Sequence, residues 1–111
     1  MLSGMFFVKF IANNNMFGEG LVVIRDGCVN GGDASYLYQG RFEYYGDDVK
    51  AIIDVKHYKG PLNSVMGPFK EFSLSLSGKK SGNNFELIGG IPNIPHLSIK
   101  IVGAKVADLF E

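Results

Sequence analysis

Histidine and cysteine are the side chains of this sequence most suited to nucleophilic or metal chemistry. The chain has two histidines, His57 and His96, and one cysteine, Cys28. A nucleophilic site needs a serine or cysteine beside a base that a third group orients, and no serine here lies in a strand-to-helix turn that presents such a nucleophile. Two histidines and one cysteine show no metal-ligand spacing. We predict no catalytic residue, no metal site and no cofactor, and therefore a protein that is not an enzyme.

Three acidic residues close together in the sequence could act in acid–base chemistry or bind a basic partner. They are Glu43, Asp47 and Asp48, and the two aspartates follow Gly46 in a predicted turn. Catalytic carboxyl groups normally have a pKa shifted by burial or by a close charge, which an exposed turn does not favour. We interpret all three as solvated residues, suited to contact with a basic protein surface and not to catalysis.

Glycine-rich segments and a row of aromatic residues are the remaining candidates for ligand binding. No predicted helix follows Gly18-Glu19-Gly20 or Gly31-Gly32-Asp33, so both are interpreted as turns or bulges and not as phosphate-binding loops. The aromatic row shares one face of the next predicted strand and consists of Tyr36, Tyr38, Phe42 and Tyr44. No basic residue shares that face, which disfavours base stacking. Two interpretations remain, a packed core or the lining of a cavity.

Composition and charge limit the classes of protein and partner. The chain has 111 residues, 46% of them hydrophobic, with eleven basic and eleven acidic residues. We expect a single domain over residues 1–111 with a substantial core. The balanced charge provides no basic stripe for nucleic acid, and no apolar run approaches the length of a membrane span. With one cysteine there is no internal disulfide framework, and we expect a cytoplasmic protein.

Alternating apolar and polar residues along most of the chain predict β-strands. The first apolar segment, residues 5–12, is interrupted by Lys9 and is interpreted as a strand and not as a signal peptide. Asp26-Gly27 predicts a type I′ hairpin, because both central positions of that turn need φ > 0. Gly40, in the middle of the aromatic strand, predicts a bulge or a bend.

Less regular segments separate the predicted strands. Residues 58–68 contain two prolines and two glycines and are predicted to form the longest irregular connection. Residues 78–84 are predicted to form a polar loop, and residues 104–110 are the one segment compatible with a helical turn. Seven or eight short strands joined in sequence order predict an all-β fold, an up-and-down antiparallel β-barrel whose closure removes exposed edges. An open β-sandwich is the alternative.

Three ordered blocks of the sequence resemble the GrlR family of negative regulators of type III secretion. They are Gly18-Glu19-Gly20, then Gly31-Gly32-Asp33, then Tyr36-Leu37-Tyr38-Gln39-Gly40-Arg41. The similarity is best over residues 18–58 and continues to His57-Tyr58. The resemblance implies a lipocalin-like β-barrel that forms a homodimer. It also implies repression of virulence genes by sequestering a transcriptional activator, without contact to DNA.

The same resemblance implies where a partner would bind. In the best-known members of the family, partner contact is attributed to an exposed acidic Glu-Asp-Glu-Asp loop. The corresponding region here is Tyr44-Tyr45-Gly46-Asp47-Asp48. Only Asp47 and Asp48 are counterparts of that loop, so half of the acidic motif is missing.

Two hypotheses of function follow. In the first, the chain is a homodimeric regulatory interaction module that sequesters an unidentified regulatory protein, with Asp47, Asp48 and Glu43 guiding a basic surface into place. The dimer contact would be an outward apolar row, such as Phe7 and Ile11, or Ile52. In the second, the barrel carries a small apolar ligand, and the inward tyrosines supply a few polar contacts.

Overall fold

Alternation of side chains places one face of every strand inside the molecule and the other in solvent. The computed structural model describes residues 1–111 and has eight strands. Each strand pairs antiparallel with its neighbour in sequence, and the first pairs with the last, so the sheet closes. The strands are β1 (Gly4–Ala12), β2 (Phe17–Arg25), β3 (Cys28–Gly32), β4 (Tyr36–Tyr45), β5 (Asp48–His57), β6 (Glu71–Ser81), β7 (Asn84–Gly90) and β8 (Ile99–Ala107).

The predicted all-β, up-and-down barrel is therefore confirmed, and the open β-sandwich is wrong. The hairpin at Asp26-Gly27 is also confirmed, with φ values of 51° and 80° at its two central residues. Residues 58–70, between β5 and β6, form the longest connection, as predicted. The structure contains no helix that could span a membrane.

Several predicted element boundaries are wrong for one physical reason. Gly18-Glu19-Gly20 lies inside β2, where it pairs with β1. The predicted polar loop at 78–84 is mostly strand, since β6 continues to Ser81 and β7 begins at Asn84. The tail at 104–107 belongs to β8 and pairs with β1 instead of forming a helical turn. In each case, hydrogen bonds to a neighbouring strand override a weak local preference.

Gly40 does not form the predicted bulge, because β4 stays in unbroken register with both β3 and β5. A Cβ at this position would lie 2.0 Å from the carbonyl oxygen of Ile52. The glycine therefore permits a close approach of β5 to β4. The register shifts elsewhere, between Met5 and Phe6, where β1 pairs with β8 and closes the barrel.

The two ends of the barrel differ in their connections. At one end, which we call the turn end, the strands are joined by tight turns at residues 26–27, 46–47 and 82–83. At the opposite end, which we call the loop end, the connections are residues 13–16, 33–35, 58–70 and 91–98. The up-and-down order of the strands puts all the tight turns at one end and all the longer loops at the other.

Three aromatic rings form a buried cluster near the turn end. The ring of Phe85 lies 5.7 Å from that of Phe6 and 5.2 Å from that of Phe42, measured between centroids. All three rings are buried, and the Phe42–Phe85 pair is edge-to-face, a geometry that stabilises aromatic pairs beyond the effect of burial alone. This cluster fills the interior of the barrel at the turn end.

Candidate functional site

A cavity of about 310 Å³ lies inside the barrel above the aromatic cluster. Its wall is mostly apolar and is formed by residues of all eight strands, with Phe42 and Phe85 among them. This volume is at the lower end of the range for small-molecule sites. The cavity extends toward the loop end, where residues 17–19, 33–36 and 63–66 line it.

Residues 58–70 cover the cavity and insert two apolar side chains into it. Val65 and Met66 line the cavity and are buried, although they lie in an irregular connection. The hydroxyl of Tyr36 donates to the carbonyl oxygen of Phe69 at 2.9 Å. The side-chain amide of Asn14 donates to the carbonyl oxygen of Val65 at 3.0 Å. The covering segment is therefore held by hydrogen bonds from two other parts of the loop end.

The start of this segment is held by its own hydrogen bonds. The Nε2 atom of His57 lies 2.7 Å from the carbonyl oxygen of Gly60. The backbone N–H of Tyr58 donates to the carbonyl oxygen of Ser35 at 2.9 Å, and its hydroxyl donates to the carbonyl oxygen of Asp33 at 2.8 Å. His57 thus acts as a structural anchor at this site. His96 lies in the 91–98 connection, where its carbonyl oxygen accepts from Asn13.

A polar pair, Asp33 and Tyr38, faces the cavity near the loop end. Oδ1 of Asp33 accepts the backbone N–H groups of Ser35 and Tyr36, both at 2.8 Å, and Oδ2 accepts the hydroxyl of Tyr38. Burial of Tyr38, with the hydrogen bond to Asp33 and its charge, raises the pKa of the phenol well above its ordinary value. Tyr38 therefore remains a neutral hydrogen-bond donor at physiological pH.

Three of the four predicted aromatic residues meet in this cavity. Tyr36, Tyr38 and Phe42 belong to its lining, whereas Tyr44 does not. Tyr44 lies nearer the turn end, half-buried against Phe42, where burial raises the pKa of its phenol. The row of inward residues is therefore divided between a cavity wall and the packed turn end.

The predicted acidic residues lie outside the barrel at the turn end. Lys79 Nζ lies 2.7 Å from Asp48 Oδ1, and Lys80 Nζ lies 3.5 Å from Asp47 Oδ1. Pairing with Asp48 raises the pKa of the Lys79 ammonium. Glu43 lies on the outer face of β4, where it accepts a hydrogen bond from the hydroxyl of Tyr45 at 2.9 Å. Each of the two aspartates thus has a cationic neighbour from β6.

An uninterrupted row of uncharged residues crosses the outer surface of five strands. Strand register places these residues side by side in the order Ala104, Phe7, Leu21, Gly32 and Leu37. We call this row the apolar belt. Leu21 is 48% exposed and Leu37 is 42% exposed, and five strands extend for roughly 20 Å. Ile11 is separated from Phe7 by Lys9 on β1, and Ile52 pairs with Arg41 and Ser75, so neither extends the belt.

Three features of these sites have no signal in local sequence patterns. Asp33 ends a glycine-rich segment that predicts only a turn, and the covering role of Val65 and Met66 has no periodic signal in an irregular segment. Lys79 and Lys80 lie in a segment that predicts a polar loop. Their alignment with Asp48 and Asp47 depends on the register between β5 and β6, which lies beyond any local pattern.

Comparisons with known proteins identify a family for the chain. A family model described as "T3SS negative regulator, GrlR" matches residues 1–109. Comparison with curated proteins gave no match. The match extends well beyond residues 18–58, where the resemblance of the sequence blocks is best. Because it includes nearly the whole chain, the protein belongs to the GrlR family of type III secretion system negative regulators.

Proposed function

We propose that this protein acts by sequestering a regulatory protein, such as a transcriptional activator, on the outer surface of the barrel. Membership in the GrlR family implies negative regulation of type III secretion, and sequestration is a mechanism that needs no catalytic group. The observation that carries the proposal is the charge cluster of the turn end, formed by the exposed side chains of Asp47, Asp48 and Lys79 with the half-buried Lys80.

The ion pairs of this cluster leave its carboxylates available to a partner. The side chains of Asp47 and Asp48 are 80% and 60% exposed. Ion pairs between exposed side chains contribute about 0–1 kcal/mol, so a basic surface can replace Lys79, whose side chain is 77% exposed, at little cost. Charges at the rim of an interface mostly change the association rate and its dependence on salt. The cluster is therefore suited to guiding a basic partner into contact.

The test is a type III secretion promoter reporter combined with association kinetics. Overproduction of the wild-type chain should lower reporter activity, and the double variant Asp47→Asn, Asp48→Asn should lower it less. Native mass spectrometry of gently purified protein gives the mass of the partner, and stopped-flow measurement with that partner should show slower, less salt-sensitive association for the variant. Asp54→Asn is the matched control, because it removes an exposed carboxylate of β5 that lies outside the charge cluster and accepts a hydrogen bond from Ser73. Equal kinetics for all three proteins would refute the role of the cluster.

The homodimer is proposed to form through the apolar belt. A stable interface usually buries about 800 Å² per partner, and the belt supplies an uncharged centre for it, with the Lys9–Glu19 pair beside it. Leu21→Lys places an ammonium in its middle and should yield monomers in analytical ultracentrifugation. Ile52→Lys adds the same charge at an exposed position outside the belt and should leave the oligomeric state unchanged. A wild-type chain that is monomeric at high concentration would exclude the dimer.

A second candidate function is the binding of a small apolar molecule, which the cavity of about 310 Å³ supports. Apolar cavities with a few fixed polar groups are typical of ligand sites. A neutral fluorescent dye such as Nile red should bind saturably, with one site per barrel. Absence of dye binding would leave the interaction module as the only candidate.

A further inference from the structure

The polar groups of the cavity are fixed in place before any ligand arrives. Two backbone N–H groups hold Oδ1 of Asp33, and the Tyr38 hydroxyl holds Oδ2. An ionised carboxylate offers about four acceptor positions, so Oδ2 keeps one of them free. Both residues line the cavity. A ligand with a hydrogen-bond donor therefore meets an acceptor that needs no reorganisation.

The charge of the cavity lining has one sign. Asp33 and, at the edge, Glu19 belong to the lining, and no lysine, arginine or histidine does. The side chain of Glu19 is exposed on the outer face of β2, opposite Lys9, so Asp33 supplies the charge that a ligand inside the cavity would meet. An acidic ligand would place its own negative charge beside Asp33 in an apolar interior without a counter-charge, which is strongly unfavourable. Sites that bind carboxylates or phosphates normally supply an arginine or lysine for this purpose. The lining thus opposes acids and favours cations.

We propose that the cavity binds a small apolar amine, which donates a hydrogen bond to Oδ2 of Asp33, and that it rejects apolar acids of the same size. This proposal rests on the second candidate function, ligand binding in the cavity. The apolar wall accommodates the hydrocarbon part of the ligand. The amine end lies at the Asp33–Tyr38 pair near the loop end, where it replaces its water contacts with a charge-assisted hydrogen bond.

The test compares three probes with the same eight-carbon chain: octylamine, octanol and octanoate. Each is titrated into wild-type protein by calorimetry and by displacement of bound Nile red. Octylamine should bind more tightly than octanoate by on the order of tenfold or more, since hydrogen bonds to charged groups contribute about 1.5–3 kcal/mol. Octanol should lie between them.

Two variants separate a direct contact from a general charge effect. Asp33→Asn removes the charge and should reduce the ratio of octylamine to octanoate affinity to near one. Glu19→Gln removes an exposed charge at the edge of the cavity and should change the ratio little. If the ratio of octylamine to octanoate affinity falls equally in both variants, the direct contact between the amine and Asp33 is wrong. If Asp33→Asn does not fold, Tyr38→Phe is used instead, since it frees a second position on Oδ2 and should preserve the preference for the amine.

The outcomes also separate this proposal from the function on which it rests. If Nile red and octanol bind but octanoate binds as tightly as octylamine, the amine class is wrong and ligand binding stands. If no probe binds, both the ligand-binding function and the amine class are wrong. Preference for octylamine that depends on Asp33 supports both.

Discussion

At the turn end of the barrel, Phe6, Phe42 and Phe85 pack ring against ring, whereas at the loop end residues 58–70 cover a cavity of about 310 Å³. The first region buries large side chains from strands whose backbone is already fixed by pairing. The second is closed by an irregular segment that depends on side-chain hydrogen bonds. Regions of the second kind usually open locally at a lower free energy than the strands around them. We therefore expect the turn end to contribute most to stability and the loop end to give access to the interior.

The largest expected effect comes from removing a ring at the turn end. Phe85→Ala deletes a buried side chain that also lies directly against Gly103, and should lower the free energy of unfolding by about 3–5 kcal/mol. Met66→Ala, in the covering segment, should cost about 2 kcal/mol, because an irregular backbone can relax into the space. Urea unfolding measures both. An equal or larger loss for Met66→Ala would remove the distinction between the two ends.

A second effect of the loop end appears at high pH. Tyrosine in the unfolded chain ionises near pH 10, whereas burial raises the pKa of Tyr38 in the folded chain. Above pH 10 the folded state then binds more protons than the unfolded state. The contribution of Tyr38 to the free energy of unfolding is therefore fully present below pH 10. Above pH 10 it should fall by about 1.4 kcal/mol per pH unit for this group.

The variant Tyr38→Phe should make this loss of stability less steep. Urea unfolding between pH 8 and pH 11 is the measurement, and absorbance near 295 nm follows ionisation of the tyrosines. Tyr44→Phe is a comparison at the other end, where burial also raises the pKa of the phenol. An unchanged slope in Tyr38→Phe would show that this hydroxyl is not protected in the folded chain.

A smaller effect should be confined to the covering segment. Tyr36→Phe removes the hydroxyl that donates to Phe69, and should cost about 1 kcal/mol. Amide hydrogen exchange should become faster in residues 58–70 and stay the same in β4 and β5 near the turn end. Faster exchange spread over the whole barrel would mean that the segment does not open independently.

The smallest effect on stability is expected at the charge cluster of the turn end. Lys79→Gln with Lys80→Gln removes one exposed ion pair and a second whose lysine is half-buried, and should change the free energy of unfolding by no more than about 1 kcal/mol. The same change uncovers Asp47 and Asp48, so association with a basic partner should become faster. This change in association rate is opposite in direction to that expected for Asp47→Asn, Asp48→Asn. Slower association would indicate that the lysines themselves contact the partner.

Local patterns were sufficient to predict most of the fold. Alternation of apolar residues placed Val49, Ala51, Ile53 and Val55 on the inner face of β5, and all four are buried. Turn chemistry located the hairpin at Asp26-Gly27. Errors arose where glycine or charged residues lie within strands, as at Gly40 and Lys79, because their local preferences are weak and pairing with the next strand decides their conformation.

The candidate sites were predicted less completely. The inward direction of Tyr36, Tyr38 and Phe42 follows from strand periodicity, but their contact with a cavity does not. The alignment of Asp47 and Asp48 with lysines of β6 and the continuity of the apolar belt both depend on register across strands. Register between distant segments is set jointly by all pairings of the closed barrel.

Side-chain alternation and turn residues in the sequence are enough to predict a β-protein and the buried face of each strand, because both act over a few neighbouring positions. The family resemblance comes from three short blocks in a fixed order and is likewise present in the sequence. The cavity and its cover depend instead on the folded barrel, in which side chains of all eight strands line one interior and residues 58–70 lie across it. These contacts join residues far apart in the chain, so no pattern over a few neighbouring positions predicts them.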